Sequence, residues 1–315
     1  MASSQVTRED VVSASLRIAA QVQRTPLVES AVAGTRIWLK CECLQTGGAF
    51  KLRGATNRLL QLSEAERERG VVAFSSGNHA RGVAIAARRL GIRAVIVMPA
   101  DAPQVKIEGT RAEGAEILFY DRRTENREAI AARISADTGA TIVPSFDDPA
   151  IVAGQGTVGL EIAEQLGFEP PRIAVPCGGG GLSAGIALAL PTVQLVIVEP
   201  DGWDDMGRSL ALGQIVPVAP DAPDTWCDAL QTPRVSPITF DILRSRGAEA
   251  LSVSDEQAGE AMAFAWQRHG LKVEPGGAVA LGALLAGKVA PLEDTVVVLS
   301  GGNVDPELHA RLVSD

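Results

Sequence analysis

Lys51 stands in the run Gly47-Gly48-Ala49-Phe50-Lys51-Leu52-Arg53-Gly54-Ala55, a primary amine framed by small residues and one aromatic. The chain holds only five lysines against 24 arginines. An amine condenses with an aldehyde and a guanidinium does not, so a composition that otherwise prefers arginine has kept imine chemistry available here. A surface lysine on the first turn of a helix is the plainer alternative, and further runs bear on the choice. Ser75-Ser76-Gly77-Asn78-His79 follows the apolar Val71-Val72-Ala73-Phe74 and precedes a helical stretch. It sets hydroxyls, an amide and backbone donors at a helix N-terminus, where a carboxylate or a phenolate oxygen can be gripped; taken alone it is also an ordinary N-cap. Val175-Pro176-Cys177-Gly178-Gly179-Gly180-Gly181-Leu182-Ser183 passes from a strand through four glycines into a helix. Without side chains, successive N–H groups can converge on a phosphate, with a flexible hinge as the alternative. Neither a Gly-Lys-Ser/Thr ending nor a GxGxxG spacing is present, so the phosphate is not expected to be a nucleotide's. Val298-Leu299-Ser300-Gly301-Gly302-Asn303 brings one more hydroxyl to the end of the last strand.

These residues need a frame that gathers strand ends. Short apolar runs at Ile37–Leu39, Ala94–Met98, Ile173–Val175, Leu195–Val198 and Thr295–Leu299 alternate with alanine-rich stretches, the pattern of an α/β protein with buried, mostly parallel strands. Open sheets of that kind bind ligands beyond the carboxyl ends of their strands, where the motifs fall. Helices are expected over Arg8–Gln23, Ala80–Leu90, Glu125–Thr138 and Asp255–His269, with Gly91 and Gly270 as stops. Pro217–Pro237 is proline-rich and polar, a long loop or mobile wall. With 315 residues, 46% hydrophobic, the chain can bury a sizeable core, and a net charge of -9 without a basic, aromatic-laced patch argues against nucleic acid as partner. The polar start, Met1–Asp10, lacks signal-peptide or membrane-span character, which points to the cytoplasm. Cys41 and Cys43 alternate on what reads as a strand and Cys177 and Cys227 stand alone, so reduced thiols are expected.

An imine-forming amine, a phosphate cup and a neutral hydroxyl answer the aldehyde, phosphate and pyridine nitrogen of pyridoxal 5'-phosphate. The ordered set Phe50-Lys51-Leu52-Arg53-Gly54-Ala55, Ser75–His79, Ala153-Gly154-Gln155-Gly156-Thr157, Gly178–Leu182, Glu199-Pro200, Glu274-Pro275 and Ser300-Gly301-Gly302-Asn303 resembles the fold-type II pyridoxal-phosphate enzymes, specifically the serine/threonine dehydratase and serine racemase group. The resemblance implies a tryptophan synthase β-like fold with two open, twisted, mostly parallel sheets flanked by helices. Residues 1–69 with 148–315 would form a large domain and 70–147 a small mobile one. It implies that Lys51 carries the cofactor and serves as base for the Cα proton, that Phe50 packs on the ring and that Asn78 meets the phenolic oxygen. Gly178, Gly179, Gly180, Gly181 and Leu182 would bind phosphate, and Ser300 would face the pyridine nitrogen. Ser75, Ser76, Asn78 and His79 would hold the substrate carboxylate, with Ser76 across the ring from Lys51, and Arg127 would lie on the substrate side unless it is simply a solvated helix residue. Glu199, Asp205 and the Trp203 carbonyl resemble the family's site for a divalent cation, magnesium or calcium, with an acidic turn as the alternative.

The implied reaction is loss of water from a β-hydroxy L-amino acid, threonine, serine or a relative such as 3-hydroxyaspartate or a phenylserine, giving a 2-oxo acid and ammonia. The alternatives are a serine or aspartate racemase using Lys51 and Ser76 on opposite faces, or a cofactor carrier without turnover. A homodimer is implied as well. Ala49, Phe146, Ala229 and Gly276-Gly277 depart from residues common in the family, and Phe146 and Ala229 leave the substrate side chain open. The chain stops at Asp315, soon after the last strand, so a regulatory domain and feedback by isoleucine through it are not expected.

Overall fold

The computed structural model describes residues 6–75 and 77–314. Along the chain run α1 (Arg8–Ile18), β1 (Leu27–Val32), β2 (Thr35–Lys40), α2 (Lys51–Leu60), α3 (Glu64–Arg69), β3 (Val71–Phe74), α4 (Asn78–Leu90), β4 (Ala94–Pro99), α5 (Gln104–Arg111), β5 (Glu116–Tyr120), α6 (Arg127–Thr138), β6 (Thr141–Ile142) and α7 (Pro149–Leu166). They are followed by β7 (Arg172–Pro176), α8 (Gly181–Ala189), β8 (Gln194–Pro200), α9 (Asp205–Leu212), α10 (Pro237–Ser245), β9 (Glu249–Val253), α11 (Asp255–His269), α12 (Pro275–Leu285), β10 (Thr295–Val298) and α13 (Pro306–Val313), with short 3-10 turns at Glu42–Leu44 and Asp228–Leu230.

Two sheets organise these elements: a six-stranded one in the order β1-β2-β10-β7-β8-β9 and a four-stranded one in the order β5-β4-β3-β6. Every pairing is parallel except β1 with β2. The continuous apolar runs occupy strands whose residues are buried throughout, such as β4, β8 after Gln194, and β10, because helices cover both faces.

Helix α2 serves both sheets. Leu52, Ala55 and Leu59, spaced i, i+3 and i+7, pack into the apolar cluster of the four-stranded sheet with Val71, Val83 and Ile96. Its other side meets α7 at backbone distance: a Cβ on Gly154 would lie 2.7 Å from the Gly54 Cα, and one on Gly156 would lie 2.6 Å from the Gly185 oxygen of α8. The Ala153–Thr157 motif is therefore a helix-packing device. Glycine's missing side chain lets three helices approach more closely than any other residue allows.

Between α2, β2 and α7 lies a buried ion cluster. Arg53, fully buried, donates Nε and Nη2 to the two Glu42 carboxylate oxygens, both at 2.8 Å. Its Nη1 and Nη2 reach the two oxygens of Glu161 at 2.6 and 2.8 Å. Lys40, also fully buried, donates to Glu161 at 2.7 Å, to the Thr25 carbonyl at 2.9 Å and to Gln165 at 2.9 Å. Burial opposes the charge on Arg53, but Glu42 and Glu161 outweigh it and hold the guanidinium firmly protonated.

Three local expectations shift. The first helix stops at Ile18 instead of Gln23, since the Gln23 backbone is taken by Gln45 and Arg53. The helix expected from Glu125 begins at Arg127, because the Asn126 side chain accepts from the Ala129 N–H and caps it. Cys41 and Cys43 are not on a strand: β2 ends at Lys40 and the chain turns through Glu42–Leu44 so that Glu42 reaches Arg53. All four cysteines are buried free thiols.

Removing one partner of a buried pair strands the others. Arg53→Ala is expected to lose about 3–5 kcal/mol of stability, read from the urea midpoint. A loss below about 1 kcal/mol, the scale of an exposed pair, would show that the cluster does not anchor α2.

Candidate active site

One cavity is lined by Phe50, Lys51, Ser75, Asn78, His79, Arg127, Gly178, Gly179, Gly180, Gly181, Leu182 and Ser300, together with Phe146 and Ala229. The lining thus comes from both sheets and from α2. Lys51 opens α2, whose N-terminus has no side-chain cap. Its Nζ donates to the Ser145 carbonyl at 3.0 Å and lies 5.1 Å from the centroid of the Phe50 ring. No carboxylate offsets the loss of water, and burial pushes its pKa down to about 8.

The four glycines form the turn from β7 into α8. Gly180 has φ +82° and caps α8 without a side chain, so the first-turn amides are left bare. The space beside them admits no Cβ: one on Gly179 would meet the Phe146 ring at 2.3 Å, and one on Gly180 would meet Met206 Cε at 2.7 Å. Bare amides in a glycine cradle fit a phosphate. Ser300 is buried and its carbonyl accepts the Phe50 N–H at 3.2 Å, which ties the last strand's end to the segment that carries Lys51.

On the four-stranded side, β3 is followed by Ser75, whose hydroxyl accepts the Gly77 N–H at 3.2 Å. Asn78 is held at both ends of its amide: Nδ2 donates to Glu274 Oε1 at 2.5 Å, and Oδ1 accepts from Asn303 Nδ2 at 2.8 Å. One Nδ2 hydrogen is left over. The His79 ring is engaged away from the expected carboxylate position. Its Nε2 bonds the Val143 carbonyl at 2.9 Å, which makes that nitrogen the protonated one, and Nδ1 has no partner. Burial, with the Lys51 charge adding, pushes its pKa down to about 3, so the ring stays neutral and offers a carboxylate neither charge nor a free donor. Ser76 lies outside the described residues. Arg127 opens α6, lines the cavity and stacks over Phe74, 5.6 Å from the ring centroid.

Glu199, at the end of β8, is buried and accepts the Met206 and Gly207 N–H groups at 3.0 and 2.8 Å, capping α9. Asp205 is buried beside it, with Oδ2 unpartnered. Burial pushes the Glu199 carboxyl well up, with Asp205 adding, and Asp205 itself up to about 7. Trp203 donates Nε1 to the Pro223 carbonyl at 2.8 Å. Among the described residues no group of three or more His, Cys, Asp or Glu side chains could hold a metal. The two carboxylates fit a hard cation only if carbonyls and water complete its shell.

Sequence reasoning gave Glu274 no role and passed over Lys106 and Asp228. Lys106 carried a usable signal, because the scarcity of lysine that singles out Lys51 applies equally to it and to Lys40, and both are buried.

An enclosed amine of lowered pKa, a bare phosphate cradle and a neutral hydroxyl on a two-sheet α/β frame define a fold-type II cofactor site. Residues 18–301 match the family model "Pyridoxal-phosphate dependent enzyme", and the chain belongs to that family. It is 43% identical over 313 residues to an L-threo-3-hydroxyaspartate ammonia-lyase of a Pseudomonas species, covering 96% of this chain and 97% of that protein. Identity to a serine racemase of Schizosaccharomyces pombe is 40% over 317 residues, 98% of this chain and 97% of the other. The solved structure of maize serine racemase superposes with a TM-score of 0.92 at 35% identity, covering 97% and 96% of the two chains.

The lowered Lys51 pKa sets a pH dependence. Below about 8 the amine is protonated and inert, and above it the free amine dominates. The rate at which cofactor-stripped protein takes up pyridoxal phosphate, followed by visible absorbance, is expected to rise with a midpoint near pH 8. A midpoint near the ordinary lysine value of about 10.4 would show an exposed amine.

Proposed function

We propose that the protein is an ammonia-lyase that removes water from a β-hydroxy L-amino acid, with 3-hydroxyaspartate the favoured substrate over threonine or serine. The observation that carries this reading is the cavity that joins Lys51 to Arg127. When bound, pyridoxal phosphate supplies the electron sink that lets the Cα proton leave. The first-turn amides of α8 would hold its phosphate, Asn78 would orient the phenolic side and Ser300 would offer the ring nitrogen a neutral hydroxyl. A hydroxyl cannot keep that nitrogen protonated as a carboxylate would, which favours expulsion of the β-hydroxyl over other outcomes. Lys51 Nζ takes the Cα proton, a task for which a pKa near 8 is suited. After tautomerisation and hydrolysis the products are a 2-oxo acid and ammonia.

The Arg127 guanidinium supports the dicarboxylate preference, since it is a fixed cation in a cavity also walled by Phe146. The relative named L-threo-3-hydroxyaspartate ammonia-lyase supports it too. Racemisation through Ser76 is the second reading, favoured by the relative named serine racemase. Ser75 and Ser76 would bind the substrate carboxylate through their backbone, the His79 ring being committed elsewhere. We assign the small domain to residues 70–147 and the large one to 1–69 with 148–315, with α2 as the shared element; closure would exclude water. Magnesium or calcium would sit at Glu199, Asp205 and the Trp203 carbonyl, and a homodimer would cover exposed apolar side chains such as Leu16 and Leu212. No helix among the described residues is long and apolar enough to cross a membrane, and four unpaired thiols agree with a cytoplasmic setting.

The test is a substrate panel of 3-hydroxyaspartate, threonine, serine and phenylserine, assayed together for 2-oxo acid and enantiomer composition. Oxo acid from 3-hydroxyaspartate supports the reading, and enantiomer exchange without oxo acid replaces it with the racemase. Lys51→Ala is expected to abolish turnover. Arg127→Gln is expected to lower kcat/KM for 3-hydroxyaspartate roughly 10- to 100-fold, the worth of one charged hydrogen bond, with much less effect on serine. Equal losses on both substrates would assign Arg127 a structural role.

A further inference from the structure

Lys106 projects from α5, which joins β4 to β5 of the four-stranded sheet, yet its ammonium pairs with groups on the other side of the cavity. Nζ lies 2.6 Å from Asp228 Oδ2, in the turn Asp228–Leu230, and 3.6 Å from Glu274 Oε2, at the start of α12. Lys106 and Glu274 are buried, at 6% and 2% exposure, and Asp228 lines the cavity. The lysine stem runs beneath the Ser75–His79 loop: a Cβ on Gly77 would lie 3.4 Å from both Lys106 Cδ and Nζ. Glu274 in turn accepts the 2.5 Å bond from Asn78, and Asn78 accepts from Asn303, whose Oδ1 is held by Arg81 at 3.0 Å. The chain Asp228, Lys106, Glu274, Asn78, Asn303, Arg81 thus alternates between the six-stranded side and the four-stranded side, each link crossing from one to the other.

We propose that Lys106 is a positioning residue for the reaction: by bridging Asp228 and Glu274 it fixes the Asn78 amide for the cofactor and clasps the two sheets together around the site. The proposal rests on the cofactor-enzyme reading above. Its physical basis is charge balance. Asp228 and Glu274 bring two carboxylates to one place, and Lys106 is the cation between them. Burial pushes the Glu274 carboxyl up, opposed chiefly by Lys106 and reinforced by Asp228. Burial likewise opposes the Lys106 charge, and Glu274 and Asp228 more than offset it, so the ammonium stays charged. Without the lysine, the Glu274 carboxyl would be pushed further up, and a proton on it would change its hold on Asn78 from a charge-assisted acceptor to a neutral one of roughly half the strength. The second Glu274 oxygen, which has no hydrogen-bond partner within normal reach, is the one that faces Lys106, at 3.6 Å.

The test compares Lys106→Met, which keeps the stem and removes the charge, with Lys106→Arg and Asp228→Asn in the cofactor-loaded protein. Read out are the visible absorbance maximum against pH, the Kd of the cofactor, kcat and KM for the amino acid, and Tm. Lys106→Met is expected to keep cofactor on Lys51 and a Tm near the parent's, while kcat falls roughly 10- to 100-fold, the usual effect of losing a residue that orients a site group. Its visible band is expected to become pH-dependent as the buried Glu274 carboxyl titrates, where the parent's does not. Lys106→Arg should recover part of kcat and remove that titration. A Lys106→Met protein with the parent's kcat and spectrum, or one changed in Tm alone, would overturn the proposal and leave the function reading standing. A parent protein that never develops a visible band would overturn both. Should Lys106→Met fail to fold, Asp228→Asn keeps the lysine and is expected to lower kcat and shift the band; an unchanged Asp228→Asn protein would overturn the clasp.

Discussion

The Arg53 guanidinium, with four carboxylate oxygens around it, is the constraint on which the site depends. It lies two residues after Lys51, and its fork fixes α2 against the turn that follows β2 through Glu42 and against α7 through Glu161. Such a cluster is weak as a source of net stability, because desolvation consumes most of the Coulombic gain. Its value is geometric. A planar fork bonded on both edges admits one register of α2, whereas an apolar contact in the same place would tolerate sliding. Lys40 completes the set, so two cations meet Glu42 and Glu161 and the buried cluster is electrically balanced.

With α2 so fixed, the cavity can leave Lys51 without a counter-ion. The same low-polarity surroundings that lower the Lys51 pKa keep His79 neutral, and the Lys51 charge adds to the effect on His79, since two cations close together in a buried space repel. The contrast with Lys106 is instructive. Both lysines are enclosed, but Lys106 has Asp228 and Glu274 beside it and stays charged, while Lys51 has a carbonyl and an aromatic ring. Two enclosed lysines are thereby given opposite roles by their neighbours: one can shed a proton and the other holds its own.

Residue type alone made the reactive groups legible. Lys51, Gly178–Gly181, Asn78 and Ser300 all line one cavity, because an amine between small residues, a run of glycines and strand-end hydroxyls serve few purposes other than ligand chemistry. The strands were legible from their apolar runs. Helix α7 was not, since Gly154, Gly156 and Gly159 read locally as breakers and only the approach of α2 and α8 shows why they are tolerated. Cys41 and Cys43 looked like a strand's alternation, but the intervening Glu42 is itself buried, drawn inward by an arginine eleven residues on. The His79 ring could not be read either, because its donor is spent on a carbonyl 64 residues away. What escaped was in each case a long-range pairing, invisible to periodicity and motif.

Among the described residues the two sheets share no strand pairing, so their relation rests on helices and side chains. Helix α2 sends Leu52, Ala55 and Leu59 into the four-stranded sheet's core and Arg53 into the ion cluster on the other side, and so acts as a common axle. An axle by itself permits rotation. The phosphate cradle and Ser300 belong to the six-stranded side, and Ser75 and Asn78 to the four-stranded side, so any rotation opens the cavity between them. A site divided in this way gains a second point of attachment, away from the axle, from a short hydrogen-bonded relay of charged and amide groups. The contacts of Asn78 with Glu274 and Asn303 have that character, and they lie at the seam between the two sides.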